Sequence, residues 1–236
     1  QSDPERYWHD VMVEIRGPLV TDWQAVFDHN WRHWAHSPAI QITPCPHAGR
    51  QVGRVSLAGT KTGANITQAL LQRISRARHR IWLASGYFVP SWKLRRRLAR
   101  AARRGVDVRL LLPGPFTDHP AVRHAGRRFY RKLLRAGVRI FEYQPRFQHA
   151  KACLIDDWVS VGSSNHDRWN LRWNLEANQE IDAPDFAAET AEMFAADFGQ
   201  SLEMHYDSWG RRGWYARLAE RFWGAVDRWV DRRLGR

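Results

Sequence analysis

Between Gln148 and Ile181 the chain reads QHAKACLIDDWVSVGSSNHDRWNLRWNLEANQEI, which gathers an imidazole, an ammonium, hydroxyls, amides and carboxylates within one short span. Residues two apart on an extended strand share a face. His149 and Lys151 would therefore project side by side, with Ala150, Ala152 and Leu154 facing the other way. A titratable imidazole beside a fixed cation has a use when an anion sits between them. Gly162 allows close backbone approach, and Ser163 and Asn165 add a hydroxyl and an amide donor. Glu176 could orient the imidazole and fix its tautomer. Together these groups form a cradle of donors for a phosphoryl group, with His149 as nucleophile or general acid. Taken singly, each is more simply a satisfied core polar residue, so the combination carries the argument.

Two other groups invite comparison. Asp156 and Asp157 are both acidic, but a hairpin turn favours Asp for its own reasons, and Asp157 is read as a turn residue alone. His29, His33 and His36 fall at i, i+4 and i+7 and would share a helical face. That spacing suits metal ligation. The face lies opposite the Trp23, Phe27, Trp31 and Trp34 stripe, however, and is read as an exposed polar face.

The elements that must position these residues follow from periodicity. Tyr7 to Ile15 reads as a strand turned at Gly17-Pro18, and Leu19 to Trp34 has helical spacing. Ser37 to Gly53 contains three prolines and reads as a linker. Helices are expected over Ile66 to Ala77, Trp92 to Arg104, Pro120 to Ala136 and Ala183 to Ser201. Strands are expected over Arg80 to Ser85, Val106 to Leu112, Val138 to Tyr143, His149 to Ile155 and Trp158 to Val161. Gly105 and Gly137 read as helix stops. This alternation predicts a layered α/β domain.

Composition narrows the partners. The formal net charge is +13, and between Asp28 and Asp107 there are 15 Lys and Arg without one acidic residue. Such a field favours a polyanion, either nucleic acid or an anionic bilayer. The run Ile81 to Trp92 is well short of a membrane span. Two cysteines, Cys45 and Cys153, make neither a disulfide framework nor a zinc site. From Trp209 to Arg236, Leu218, Phe222, Val226, Trp229 and Val230 recur at helical spacing among arginines, which predicts a basic amphipathic helix suited to a membrane interface or to docking on the domain or on a further half of the protein.

The pattern His149, Lys151, Asp156, then Gly162, Ser163 and Asn165, closely resembles the HxKx4D and GSxN signature of the phospholipase D superfamily. Glu176 falls at that superfamily's histidine-orienting acid. The spacer between Asp156 and the GSxN segment is one residue shorter than usual. Gly86 to Pro90, Arg104 to Val108, and Asn174 to Asn178 resemble the second half of bacterial cardiolipin synthases. Trp8 to Pro18 resembles the piece that follows their first motif.

The resemblance implies a phospholipase D-like layered α-β-α domain with a central mixed sheet. It divides the chain into residues 1–36, continuing from an absent N-terminal half; 37–53, a linker; 54–206, the domain; and 207–236, the C-terminal helix. It further implies phosphatidyl transfer on glycerophospholipids through a phosphohistidine, most specifically cardiolipin synthesis. His149 would serve as acid/base, and Lys151 and Asn165 would hold non-bridging oxygens. No cofactor and no metal are implied, because paired Lys and Asn donors neutralise the charge. The implied partners are a phospholipid, an anionic membrane surface, and a second motif-bearing half, either upstream or in a homodimer mate. The implied location is peripheral, on the cytoplasmic face of the bacterial cell membrane. Alternatives are a nuclease of the same superfamily and an inactive half-domain that binds anionic surfaces.

Overall fold

A computed structural model describes residues 7–35, 45–58, 66–166 and 174–210, with isolated positions at 38, 212, 222, 223 and 225. His36 and nearly all of the expected C-terminal helix lie outside the described residues.

Eight strands form one mixed sheet. In chain order the elements are α1 (Leu19–Ala35), β1 (Val52–Ala58), α2 (Ile66–Arg76), β2 (Arg80–Ala84), α3 (Trp92–Arg103), β3 (Asp107–Pro113), α4 (Pro120–Arg127) and α5 (Tyr130–Arg135). They continue with β4 (Arg139–Tyr143), β5 (Ala152–Ile155), β6 (Trp158–Gly162), β7 (Glu176–Asp182), α6 (Pro184–Gly199), β8 (Ser201–Met204) and α7 (Tyr206–Gly210). The strand order is β1-β7-β6-β5-β2-β3-β4-β8. β2, β3 and β4 run parallel, and the other pairings are antiparallel.

Strand parity sorts the core into two layers. Ile81, Leu83, Val108, Leu110, Ile140, Cys153 and Ile155 pack under α2, α3 and α5 with Trp209 of α7. Their alternates Ala84, Leu111, Phe141, Ala152 and Leu154 pack under Ala187, Phe194 and Phe198 of α6. The central strands are thus buried on both sides, as the apolar runs of β3 and β5 require. Helix boundaries follow local chemistry. Ser91 caps α3 by accepting from Leu94 N–H, and Gly105 and Gly137 take the left-handed conformation that ends α3 and α5.

Several expected elements differ. Tyr7 to Ile15 is not a strand; it makes one parallel bridge, His9 with Gln148. Its alternation finds half a partner: Val11 and Val13 pack on the α6-side core, while Met12 is 99% exposed. The expected strand from His149 starts only at Ala152, because the amides of His149 and Ala150 both donate to the His9 carbonyl, at 2.8 and 3.0 Å. The expected helix Pro120 to Ala136 breaks at Arg128-Phe129, which lets Tyr130 and Leu133 reach the core. β1 begins at Val52, inside the stretch read as linker. β7 went unread because its sequence, EANQEID, is polar although largely buried. On α1, Phe27, Trp31 and Trp34 are exposed, as are His29 and His33, while Asp28 is buried and paired with Arg32 at 2.8 Å.

Candidate active site

Four chain segments meet at one end of the sheet. β2 leads into Ser85-Gly86-Tyr87, β5 starts just after Lys151, β6 ends in Gly162 and passes into Ser163–Asn165, and β7 starts at Glu176. A Cβ on Gly162 would lie 2.3 Å from the Ala177 carbonyl oxygen, so glycine is what lets β6 leave the sheet this close to β7. The segments enclose an open cleft of about 750 Å³, lined among others by Asp10, Tyr87, His149, Lys151, Asn165 and Glu176.

His149 is held by the chain that precedes the domain. His9 N–H donates to the Phe147 carbonyl at 2.8 Å, while the His9 ring meets Asp197 of α6 at 2.9 Å and stacks on Tyr143. This clamp delivers Asp10, whose Oδ2 lies 2.7 Å from His149 Nδ1. A carboxylate can only accept, so this contact calls for a proton on Nδ1 and leaves Nε2 as the nitrogen that can gain or lose one. The Trp8 ring lies over the imidazole at 4.2 Å between centroids. Lys151 is buried, with Nζ 2.7 Å from His149 Nε2 and 2.6 Å from the His149 carbonyl oxygen. Burial pulls the ammonium pKa below its ordinary value, although Asp10, Glu176 and Asp118 pull it back up. Asn165 is buried too. Its Oδ1 accepts from Tyr87 N–H at 3.1 Å, so its NH₂ is the end that can turn to a substrate oxygen. An imidazole lone pair, an ammonium and an amide donor therefore converge where a phosphoryl group could sit.

The structure redistributes two expected roles. Glu176 lines the cleft but accepts from the Ser163 hydroxyl, and the carboxylate on His149 is that of Asp10. Ser163 is tied to β7 as well: its N–H donates to the Ala177 carbonyl at 3.1 Å, and its Oγ accepts from Ala177 N–H at 3.2 Å. Asp156 is a correction. It sits at the opposite end of the β5–β6 hairpin, with φ at 51°, and its carboxylate accepts from the backbone N–H groups of Arg78, His79 and Arg80 at 2.9 to 3.1 Å. Burial would raise its pKa, but these three donors outweigh that and hold it below the ordinary carboxylate value.

Asp10 is the residue that site-by-site reasoning missed. A signal for it exists in a short repeat at constant offset. Asp10, Ile15 and Gly17-Pro18 before α1 correspond to Glu176, Ile181 and Ala183-Pro184 before α6.

Comparison with known proteins gives a consistent picture. Residues 70–198 match the family model described as cardiolipin synthase, PLD-like domain. The chain is 37% identical over 207 residues to cardiolipin synthase A of Pseudomonas aeruginosa (strain LESB58), covering 86% of this chain and 42% of that protein. To cardiolipin synthase A of Pseudomonas entomophila (strain L48) it is 37% identical over 202 residues, again covering 42% of the relative. The chain thus spans less than half the length of the curated relatives it matches. Among solved structures, Nuc from Salmonella typhimurium, a phospholipase D family member, superposes with a TM-score of 0.56 at 19% identity, covering 66% of this chain and 99% of Nuc. Phosphatidylserine synthase of Haemophilus influenzae superposes at 0.63 and 11% identity, covering 87% of this chain and 52% of that one. At these identities the structural likeness is one of fold.

Proposed function

The chain belongs to the phospholipase D-like domain family of cardiolipin synthases, and from that premise we propose that its cleft supplies one half of a phosphatidyl-transfer site acting on glycerophospholipids, with cardiolipin formation as the specific reaction. The observation that carries this reading is His149 with Asp10 on Nδ1 and Lys151 on Nε2, in a cleft that Asn165 also lines.

Transfer proceeds in two displacements. A histidine from a second half attacks phosphorus, forming a P–N bond as the P–O bond to the departing alcohol breaks. His149, protonated at Nε2, gives its proton to that alcohol. The acceptor alcohol then passes its proton to His149 and attacks phosphorus, breaking the P–N bond. Lys151 and Asn165 hold the non-bridging oxygens as charge shifts between them. Asp10 stabilises the imidazolium form that His149 holds before the first displacement and regains in the second.

The second histidine comes from an upstream half of the same protein or from another copy of this chain. The Asp10–Glu176 correspondence favours the first source, since residues 10–35 follow the acid, apolar segment and helix order of residues 176–199. Glu176 then serves the incoming histidine as Asp10 serves His149. The protein works peripherally at the cytoplasmic face of the bacterial membrane. Among the described residues no helix is long and apolar enough to cross it.

The test is conversion of phosphatidylglycerol to cardiolipin and glycerol by the protein together with its upstream half. His149→Ala should lower kcat by about 10²–10⁴-fold. Retained turnover in that variant, or cleavage of DNA without turnover of phosphatidylglycerol, would overturn the proposal.

A further inference from the structure

The two helical layers carry opposite charge. Residues 66–104, which include α2 and α3, hold eleven Lys and Arg and no Asp or Glu. Residues 174–210, which include α6, hold nine Asp and Glu and no Lys or Arg. The basic side chains divide by what they do within the fold. Arg97 donates to the Leu71 carbonyl at 2.8 Å, Arg104 reaches the Ala77 carbonyl, and Arg95 lies over the Phe129 ring at 4.0 Å. These three fasten α3 to its neighbours.

Lys93, Arg96, Arg100 and Arg103 are different. They follow one another at i, i+3, i+7 and i+10, so they form one stripe, and all four are exposed. Leu94, Leu98 and Ala101 on the other side of the helix are buried. Among the described residues no ion pair engages any of the four. At the head of the stripe stands Trp92, 60% exposed, with the Arg96 guanidinium 4.9 Å from its ring centroid. Trp92 starts α3, and the chain reaches it from the end of β2 through Tyr87, which lines the cleft, so the stripe begins on the cleft's side of the sheet.

We propose that the α3 stripe is a docking face for an anionic bilayer, with Trp92 seated at the headgroup level beside the cleft mouth. The inference rests on the reading that the substrate is a glycerophospholipid, and it adds which face of the domain meets the membrane. Four exposed cations that enter no ion pair among the described residues, on a helix about 18 Å long, suit a flat negative surface. A solvent-facing indole suits the interface that such cations approach. The exposed Asp185, Glu189 and Glu192 of α6 are repelled by the same surface, so the charge asymmetry fixes which layer faces it.

Binding can be read without turnover by using the whole chain carrying His149→Ala, co-sedimented with vesicles of equimolar phosphatidylglycerol and phosphatidylcholine. The protein should partition onto these and not onto phosphatidylcholine alone. Lys93→Gln, Arg96→Gln, Arg100→Gln and Arg103→Gln should each lower partitioning about fivefold, and the four together should reduce it to the phosphatidylcholine level. Trp92→Ala should lower the binding that remains at high salt, and Glu189→Gln with Glu192→Gln should not weaken binding. Undiminished binding in the fourfold variant, or equal binding to both vesicle types, would overturn the proposal. So would a tighter hold on a short DNA duplex that the same four substitutions abolish, because the face would then be a nucleic-acid surface. If the vesicle results are as expected while the assembled enzyme leaves phosphatidylglycerol unchanged, the docking face stands and the proposed reaction falls.

Discussion

The β5–β6 hairpin has an acid associated with each of its ends, and the two do opposite work. At the turn, Asp156 spends its carboxylate on three backbone N–H groups and so locks the start of β2 onto the hairpin. At the open end, Asp10 arrives from a segment 139 positions away in sequence and spends its carboxylate on the imidazole. The acid that shares a hairpin with the histidine is structural, and the acid that touches it is remote in sequence. A strand carries its two ends far apart within a few residues, whereas a clamp such as His9 can return a distant segment to atomic contact. Sequence spacing therefore ranks these two carboxylates in the wrong order for chemistry.

Lys151→Met should separate the two ends most sharply. Removing a charge donor that stabilises transition-state oxygens should lower kcat by about 10²–10³-fold. The same variant should be more stable at neutral pH, since burial holds the folded-state pKa of Lys151 below its unfolded value. Below that folded value the buried ammonium carries its full penalty. The penalty fades as pH rises from the folded value towards the ordinary lysine value of 10.5, because only then does the native lysine shed its proton ahead of the unfolded one. The Tm gain of Lys151→Met over the parent should therefore shrink between neutral and alkaline pH. A constant gain would remove the desolvation account.

Asp10→Asn comes next. An amide can still meet Nδ1 but supplies no charge to an imidazolium, so kcat should fall about 10–100-fold, with phosphatidylglycerol KM little changed. NMR of the His149 ring should show the Nδ1–H tautomer losing its dominance. If Glu176→Gln instead, and not Asp10→Asn, disturbs that tautomer, the assignment of acids to histidines is reversed.

Much of this was legible in the sequence, and the gaps have physical causes. The parallel β2–β3–β4 core, its helices and the glycine stops were readable because their apolar residues repeat with the period of the element. The placement of His149, Lys151 and Asn165 at one sheet end was readable from strand geometry. β7 was not, because its alternation consists of Glu176, Asn178 and Glu180 buried in hydrogen bonds, and polar burial leaves no hydrophobic period. The 7–15 segment misled in the converse way. It has strand-like alternation, yet it meets the domain through a single bridge, His9 with Gln148. Asp10 was invisible to any reasoning confined to the local motif, since its value depends on the fold bringing His9 against Phe147 and Asp197.

Asp156→Ala should have the smallest effect on chemistry and a clear one on stability. The substitution strands three N–H groups at the α2–β2 turn and places alanine at φ 51°, a region Asp tolerates better than Ala. A loss of roughly 1–3 kcal/mol is expected, read as a lower Tm, while kcat per folded molecule stays within about twofold. Asp156→Asn keeps the backbone conformation and one acceptor and should recover part of the loss. The acid's own contribution is present above its unfolded pKa and disappears as pH falls through the depressed folded value, so parent and alanine variant should converge in stability on the acid side of the ordinary aspartate value of 3.8. A large fall in kcat with an unchanged Tm would instead place Asp156 in the chemistry and return the hairpin's two ends to equal standing.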